Sequence, residues 1–347
     1  MPQTPSVNND GGLPPIARLC GRPNRPRSPS RLAGEPFCLA LRSLAQTGPE
    51  ELWEHLVVDQ EVLDFYATPG RFTTLAEGDF ASHDISRVVE VVQGLLVYDV
   101  VAQPFYGVEL TPNQAEAIHE RDTARLLAVA RALDPRPLDE RRPPGKRVGA
   151  RCHAFSRLTV AFLRAAGVPA RARCGFGAYF RPGWFEDHWV AEYWNHGASK
   201  WRLVDAQLDA TWRKMIDFKG DPLALTATEF LTAGRAWQAW RRGDLDATRC
   251  GLSAIEVHGA FWIAGNLRLD LASLNKVEML PWDQWGAGWG PGEQPTDAQL
   301  DFFDAVADLT MDPDEGFGEL RRRYETDAKL RMDGQVFNVL RGQLEPA

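Results

Sequence analysis

The sequence predicts an α+β fold: a run of helices, a small antiparallel sheet, then helices again. Three observations carry this. Apolar residues recur at helical spacing up to about residue 133 and again after about 225. Between them, "VPARARCGFGAYF", "HWVAEYWN" and "WRLVDAQ" have the short, β-branched and aromatic character of strands. No period of fixed length repeats along the chain.

Residues 1–46 are rich in Pro, Gly, Ser and Arg and lack apolar periodicity, so they are expected to form a disordered tail. The arginines of this tail, Arg18, Arg22, Arg25, Arg27, Arg31 and Arg42, read as solvated. Residues 47–347 are expected to form a single domain. Thr47 and Pro49 start a helix continued by Leu52, Leu56, Val57 and Leu63. "SHDISRVVEVVQGLLVYDVVA" predicts a second helix, and "TPNQAEAIHERDTARLLAVARAL", opened by Thr111 and Pro112, a third. "DPRPLDERRPPGKRVG", with its four prolines, is an exposed loop. In "CHAFSRLTVAFLRAAGVP", Phe155, Leu158, Phe162 and Leu163 lie on one helical face, and Gly167 and Pro169 end the helix. After the strands, "TATEFLTAGRAWQAWRRG", "FWIAGNLRLDLASLNK" and "TDAQLDFFDAVADL" return to helical spacing.

The net charge of −8 argues against a broadly basic surface, so nucleic acid is not an expected partner. No apolar run reaches the length of a membrane span and no leader pattern opens the chain, so a membrane partner is not expected either. Five scattered cysteines, Cys20, Cys38, Cys152, Cys174 and Cys250, form no CxxC pair. They fit a reducing, cytoplasmic location, without a disulfide framework or structural zinc.

Cys152 falls at the start of its helix, where unpaired N–H groups and the helix dipole favour a thiolate. His188 opens the strand "HWVAEYW"; His188, Val190, Glu192 and Trp194 share one face, and Trp189, Ala191 and Tyr193 the other. Asp205 ends the next strand beyond the turn "NHGASK", so a hairpin brings it to His188. This is the set that thiol catalysis needs: nucleophile, base and a carboxylate to orient the base. Asp209 competes for the last role. His153 reads as a surface residue or one standing behind the cysteine, His196 as solvated, Asp187 as facing away from His188, and Cys174 as a small buried hydrophobe. Trp189, beside the base, is a candidate to shield the site or stack on substrate. Trp184, Trp194 and Trp201 surround the same hairpin, and Trp282, Trp285 and Trp289 in a Gly-rich segment are placed to cover a cleft or to pack between sheet and helices. Glu186, Asp187 and Glu192 show no metal-binding spacing, so no metal and no other cofactor is expected.

"CHAFSRLTVAFLRAAGVPARARCGFG", "DHWVAEYW" and "WRLVDAQLD" resemble the transglutaminase-like superfamily over about residues 149–210. The resemblance implies a papain-like core, the Cys helix packed on a small antiparallel sheet with extra helices on both sides. It implies Cys152 as nucleophile, His188 as base and Asp205 as orienting acid. The flanking segments resemble those of bacterial transglutaminase-domain proteins. The implied activity is acyl transfer or amide hydrolysis through an acyl-thioenzyme, with a peptide, amide or thioester as donor and an amine or water as acceptor. The family's upstream oxyanion donor has no clear counterpart, Gln93 and Gln103 being candidates, and acidic calcium loops are not evident. The alternative is a non-catalytic peptide- or protein-binding module that retains the fold.

Overall fold

The strand-like alternation after residue 169 becomes a long antiparallel pair in the computed structural model, which describes residues 58–347. Strand β3, Ala170–Gly177, runs against β4, Phe185–Asn195, with Cys174 opposite Trp189 and Gly175 opposite His188. A turn in which Ser199 takes a positive φ of 46° leads into β5, Lys200–Val204, which places Val204 opposite Ala191. Asp205 therefore leaves the sheet near His188. Strand β6, Phe230–Thr232, pairs with the end of β3. There a Cβ on Gly175 would lie 2.2 Å from the Leu231 carbonyl, so only glycine permits the approach. Strand β7, Cys250–Leu252, runs parallel to the start of β4, and β8, Val257–His258, antiparallel to β7. The sheet order is β6-β3-β4-β7-β8, with β5 also on β4.

Strand alternation sends Trp189, Ala191 and Tyr193 to one face and Val190 to the other, where it packs with Leu225 and Phe230. The first face is covered by the helix Cys152–Ala165, buried at every position from Cys152 to Arg164; its Phe155, Leu158 and Phe162 join Ala172, Cys174 and Trp189 in one core. Gly167, at φ 75°, ends it as a left-handed residue, as its sequence position predicts.

The helices before and after differ from the sequence expectation in instructive ways. Helix α1, Gln60–Ala67, starts at the Asp59 cap; the tail 1–46 and the expected helix start at Thr47 lie outside the described residues. The second predicted helix is real only as α2, Ile85–Leu95. The chain then forms β1, Leu96–Tyr98, because Leu96, Val97 and Tyr98 pair in parallel with β2, Val148–Ala150, whose first two residues close the segment read as a loop. Helix α3, Ala102–Tyr106, follows. The third predicted helix divides into α4, Pro112–Glu116, with a Thr111/Gln114 capping box, and α5, Thr123–Leu133, restarted by the Asp122 side chain accepting from the Arg125 N–H.

The cysteine helix is thus α6. Helix α7, Ala210–Met215, follows β5. Residues 230–232, expected in a helix, form β6, and α8 begins only at Ala233, running to Arg242. Helix α9, Ala260–Leu274, lies along the stretch of β3 that β6 leaves open. Its Asp270 accepts from the Cys174 N–H at 2.8 Å and its Ser273 hydroxyl donates to the Ala172 carbonyl at 2.7 Å. With α8 and α10, Asp297–Met311, it forms a second core around Trp237, Leu267 and Phe303. After β9, Asp283–Gln284, and helix α11, Phe317–Thr326, strands β10, Gln335–Asn338, and β11, Gln343–Pro346, complete a small sheet with β9 that the sequence did not announce. Among the described residues no helix is long and apolar enough to cross a membrane.

Candidate active site

Cys152 is the first residue of α6. Arg151 at the N-cap is extended and gives no side-chain cap, so the first N–H groups of the helix are not taken by a side chain. Strand β2 delivers the chain to this point. A Cβ on Gly149 would meet the Gln114 carbonyl at 2.4 Å, so glycine is required for that close approach.

His188 and Asp205 meet as the hairpin predicts, with His188 Nε2 2.8 Å from Asp205 Oδ2. That contact leaves the other ring nitrogen, Nδ1, free of Asp205. All three groups are nearly closed to solvent, at 6% exposure for Cys152, 2% for His188 and 1% for Asp205. Burial alone would lower the imidazole pKa. The charge and hydrogen bond of Asp205, with Cys152 nearby, outweigh it and raise it to about 10. His188 is accordingly protonated at neutral pH.

Asp205 is itself held. The Tyr179 hydroxyl donates to Oδ2 at 2.6 Å and the Gln207 N–H to Oδ1 at 2.9 Å. Burial, then the Asp205 charge, pushes the Tyr179 phenol well up, so it remains a donor. Phe180, from the same β3–β4 loop, packs on the His188 ring at 4.8 Å and on Trp212 at 5.9 Å. Tyr98 lies on β1 opposite Ala150, two residues before Cys152, with its ring edge-on to Trp212 at 5.5 Å. Burial raises its phenol, Cys152 adds to the rise, and Arg151 opposes it. Sequence reasoning passed over Tyr98, Tyr179 and Phe180, whose contacts join segments far apart in the chain. The aromatic pair in "GAYFRPGW" was the only signal for Tyr179 and Phe180.

The other candidates have different places. Asp209 caps α7, accepting from the Thr211 and Trp212 N–H groups. Gln93 donates to the Ala206 carbonyl at 3.2 Å, beside Asp205, whereas Gln103 is exposed on α3. Asp187 is buried and accepts from Asn266 at 2.6 Å, Cys174 is buried, and His196 is exposed in the hairpin turn. His153 is not a surface residue but 2% exposed, because α6 is enclosed on all sides. Trp189, expected at the substrate, is instead 1% exposed in the core under α6, since strand alternation turns it to the face opposite His188. Trp194 and Trp201 stack edge to face at 5.6 Å, Trp184 packs on His258, Trp285 donates to the Leu330 carbonyl, and Trp289 packs on Trp237. Of the Gly-rich segment, Trp282 packs on His153 at 5.5 Å. Glu186 accepts from the Ser253 N–H, and Glu192 pairs with Arg171 and Arg173.

Residues 138–206 match the family model of the transglutaminase-like superfamily. That stretch is similar to the transglutaminase-like superfamily. The superfamily is one of cysteine-based acyl transfer and hydrolysis, and the matched stretch contains Cys152, His188 and Asp205. No curated protein and no solved structure matches the chain.

Proposed function

We propose that the transglutaminase-like core is an active thiol acyltransferase or amidohydrolase, with Cys152 as nucleophile, His188 as its acid and base, and Asp205 as the carboxylate that orients the imidazole. The observation that carries this reading is the buried His188–Asp205 contact at 2.8 Å, with the second ring nitrogen free of Asp205 and Cys152 nearby. The cysteine helix packed on an antiparallel sheet supports the papain-like architecture.

In this mechanism the Cys152 sulfur attacks the donor carbonyl carbon and a tetrahedral oxyanion forms. Uncapped N–H groups at the start of α6 and the Tyr98 phenol receive its charge. The intermediate collapses as His188 gives its proton to the leaving amine or thiol, which leaves a thioester on Cys152 and a neutral imidazole. Water or an amine then adds to the thioester while His188 takes its proton, and expulsion of the Cys152 thiolate releases acid or amide and restores the starting pair. Asp205 keeps Nε2 occupied so that Nδ1 is the nitrogen that exchanges the proton.

The test is intact-protein mass spectrometry after mixing with a small thioester or activated-ester donor. The expected result is one added acyl group, mapped to Cys152, that is lost over time to water or faster to an added amine. Cys152→Ala takes no acyl group. An unmodified wild-type chain across a panel of donors, with specific peptide capture by both forms, would instead favour a binding module.

A further inference from the structure

Helix α6 carries a polar stripe that the Cys152 chemistry does not use. His153, Arg157 and Arg164 are four and seven residues apart, which places them along one face of the helix, and all are at most 2% exposed. Arg164 has a counter-charge: it donates to Glu278 Oε1 at 2.9 Å, to the Thr73 hydroxyl at 3.0 Å and to the Ala170 carbonyl at 2.8 Å, and only its Nη2 is left without a partner.

Arg157 has none. Its Nη2 donates to the Glu120 carbonyl at 2.7 Å, while Nε and Nη1 are buried with no protein partner. Among the described residues no carboxylate forms an ion pair with it; the charges of Glu278, Glu120 and Asp122 act on it only through space, and Glu278 already pairs with Arg164. Burial lowers the Arg157 pKa to about 10, which leaves it charged at neutral pH. A buried charge without a counter-charge is among the costliest groups a fold can keep.

Its neighbours extend the pattern. Neither nitrogen of His153 has a partner, nor has the indole Nε1 of Trp282, which stands edge to face on the His153 ring. Burial first, then Arg157, pushes the His153 pKa well down, so the ring is neutral and offers one N–H. The unmatched groups are thus mainly donors: two guanidinium nitrogens, an indole N–H and an imidazole N–H beside a guanidinium that has no ion pair of its own.

We propose that this cluster, Arg157, His153 and Trp282, is a binding site for one small monovalent anion of halide size, buried behind the helix that carries Cys152. Glu120, whose carbonyl holds Arg157, also lines a cavity of about 1080 Å³ whose walls carry both Arg121, Arg125 and Arg341 and the carboxylates of Glu116, Asp122 and Glu345. The competing occupant is water bridging Arg157 to Glu278 Oε2, which is also buried without a partner.

Thermal unfolding of the full chain at equal ionic strength in sodium chloride and in sodium gluconate separates the two, because gluconate is too large for the interior. The expected result is a Tm about 3 °C or more higher in chloride, although gluconate is the more strongly excluded and so generally stabilising salt. Arg157→Met abolishes the difference. Should that variant not fold, Trp282→Phe, which removes one donor and keeps the charge, reduces it. Bromide replacing chloride in crystals gives an anomalous peak within about 3.5 Å of Arg157. Equal or lower Tm in chloride, a chloride gain that Arg157→Met retains, or a water with no bromide signal at that position would overturn the site.

Discussion

Asp205 sits among His188, Tyr179 and the Gln207 N–H, so its orientation is fixed from both carboxylate oxygens. Removing one donor to a charged acceptor costs roughly 1.5–3 kcal/mol. Tyr179→Phe should therefore lower kcat about tenfold or more through misorientation of His188, with the folded structure retained by circular dichroism. Tyr98→Phe separates a different role. If the phenol receives the oxyanion, turnover falls about 10²-fold, while alkylation of Cys152 by iodoacetamide, which forms no oxyanion, is unchanged. Equal losses in both assays would place Tyr98 with the thiol rather than with the intermediate. Cys152 and Asp205 stand where the sequence placed them, at a helix start and just past a strand end, whereas His188 is the fourth residue of β4 rather than its first, because Phe185 and Glu186 already pair with β7. Tyr179 was not legible, since its role arises from a loop folding back onto the strand end beyond the hairpin. Trp189 shows the reverse, because the alternation that gave His188 one face already assigned Trp189 the other.

At the scale of elements, β3 and β4 are joined by charge as well as by their ladder. Glu192 lies directly opposite Arg171 and accepts from it at 2.6 Å and from Arg173 at 3.2 Å. Burial works against the Glu192 charge, but the two guanidinium groups outweigh it and hold the carboxyl down at about 2. A depressed folded pKa means that the stability it contributes is fully present above the unfolded value of about 4.3 and is lost as pH falls toward about 2. Wild-type Tm should fall across that window, and Glu192→Gln should show a lower Tm at neutral pH and a shallower acid decline. An identical acid profile in both would remove the ladder from the account. Helix α6 and the β4–β5 hairpin were read correctly because a strong period and clear stop signals agree there. Strands β1 and β2 were not, since three residues are too few to show a period and only their pairing with each other makes them strands.

At the scale of the whole molecule, the matched core ends at residue 206, yet the sheet it belongs to continues through β6, β7 and β8, and α9 ties the core to the C-terminal helices through Asp270 and Ser273. The proposed site draws Tyr98, Cys152, Tyr179, His188 and Asp205 from five separate segments of the chain. That assembly is tested most directly by the pH dependence of Cys152 alkylation by iodoacetamide, followed by peptide mass spectrometry in the native wild type, native His188→Ala and the unfolded chain. The shape of the profile is independent of how slowly the reagent enters. The proposed thiolate–imidazolium pair should give the native wild type a rate that changes little between about pH 6 and pH 8, whereas His188→Ala and the unfolded chain should climb close to tenfold per pH unit, as free thiols do. A native wild-type profile that climbs like the unfolded chain and is unchanged by His188→Ala would contradict the paired thiol and imidazole on which the proposed chemistry stands.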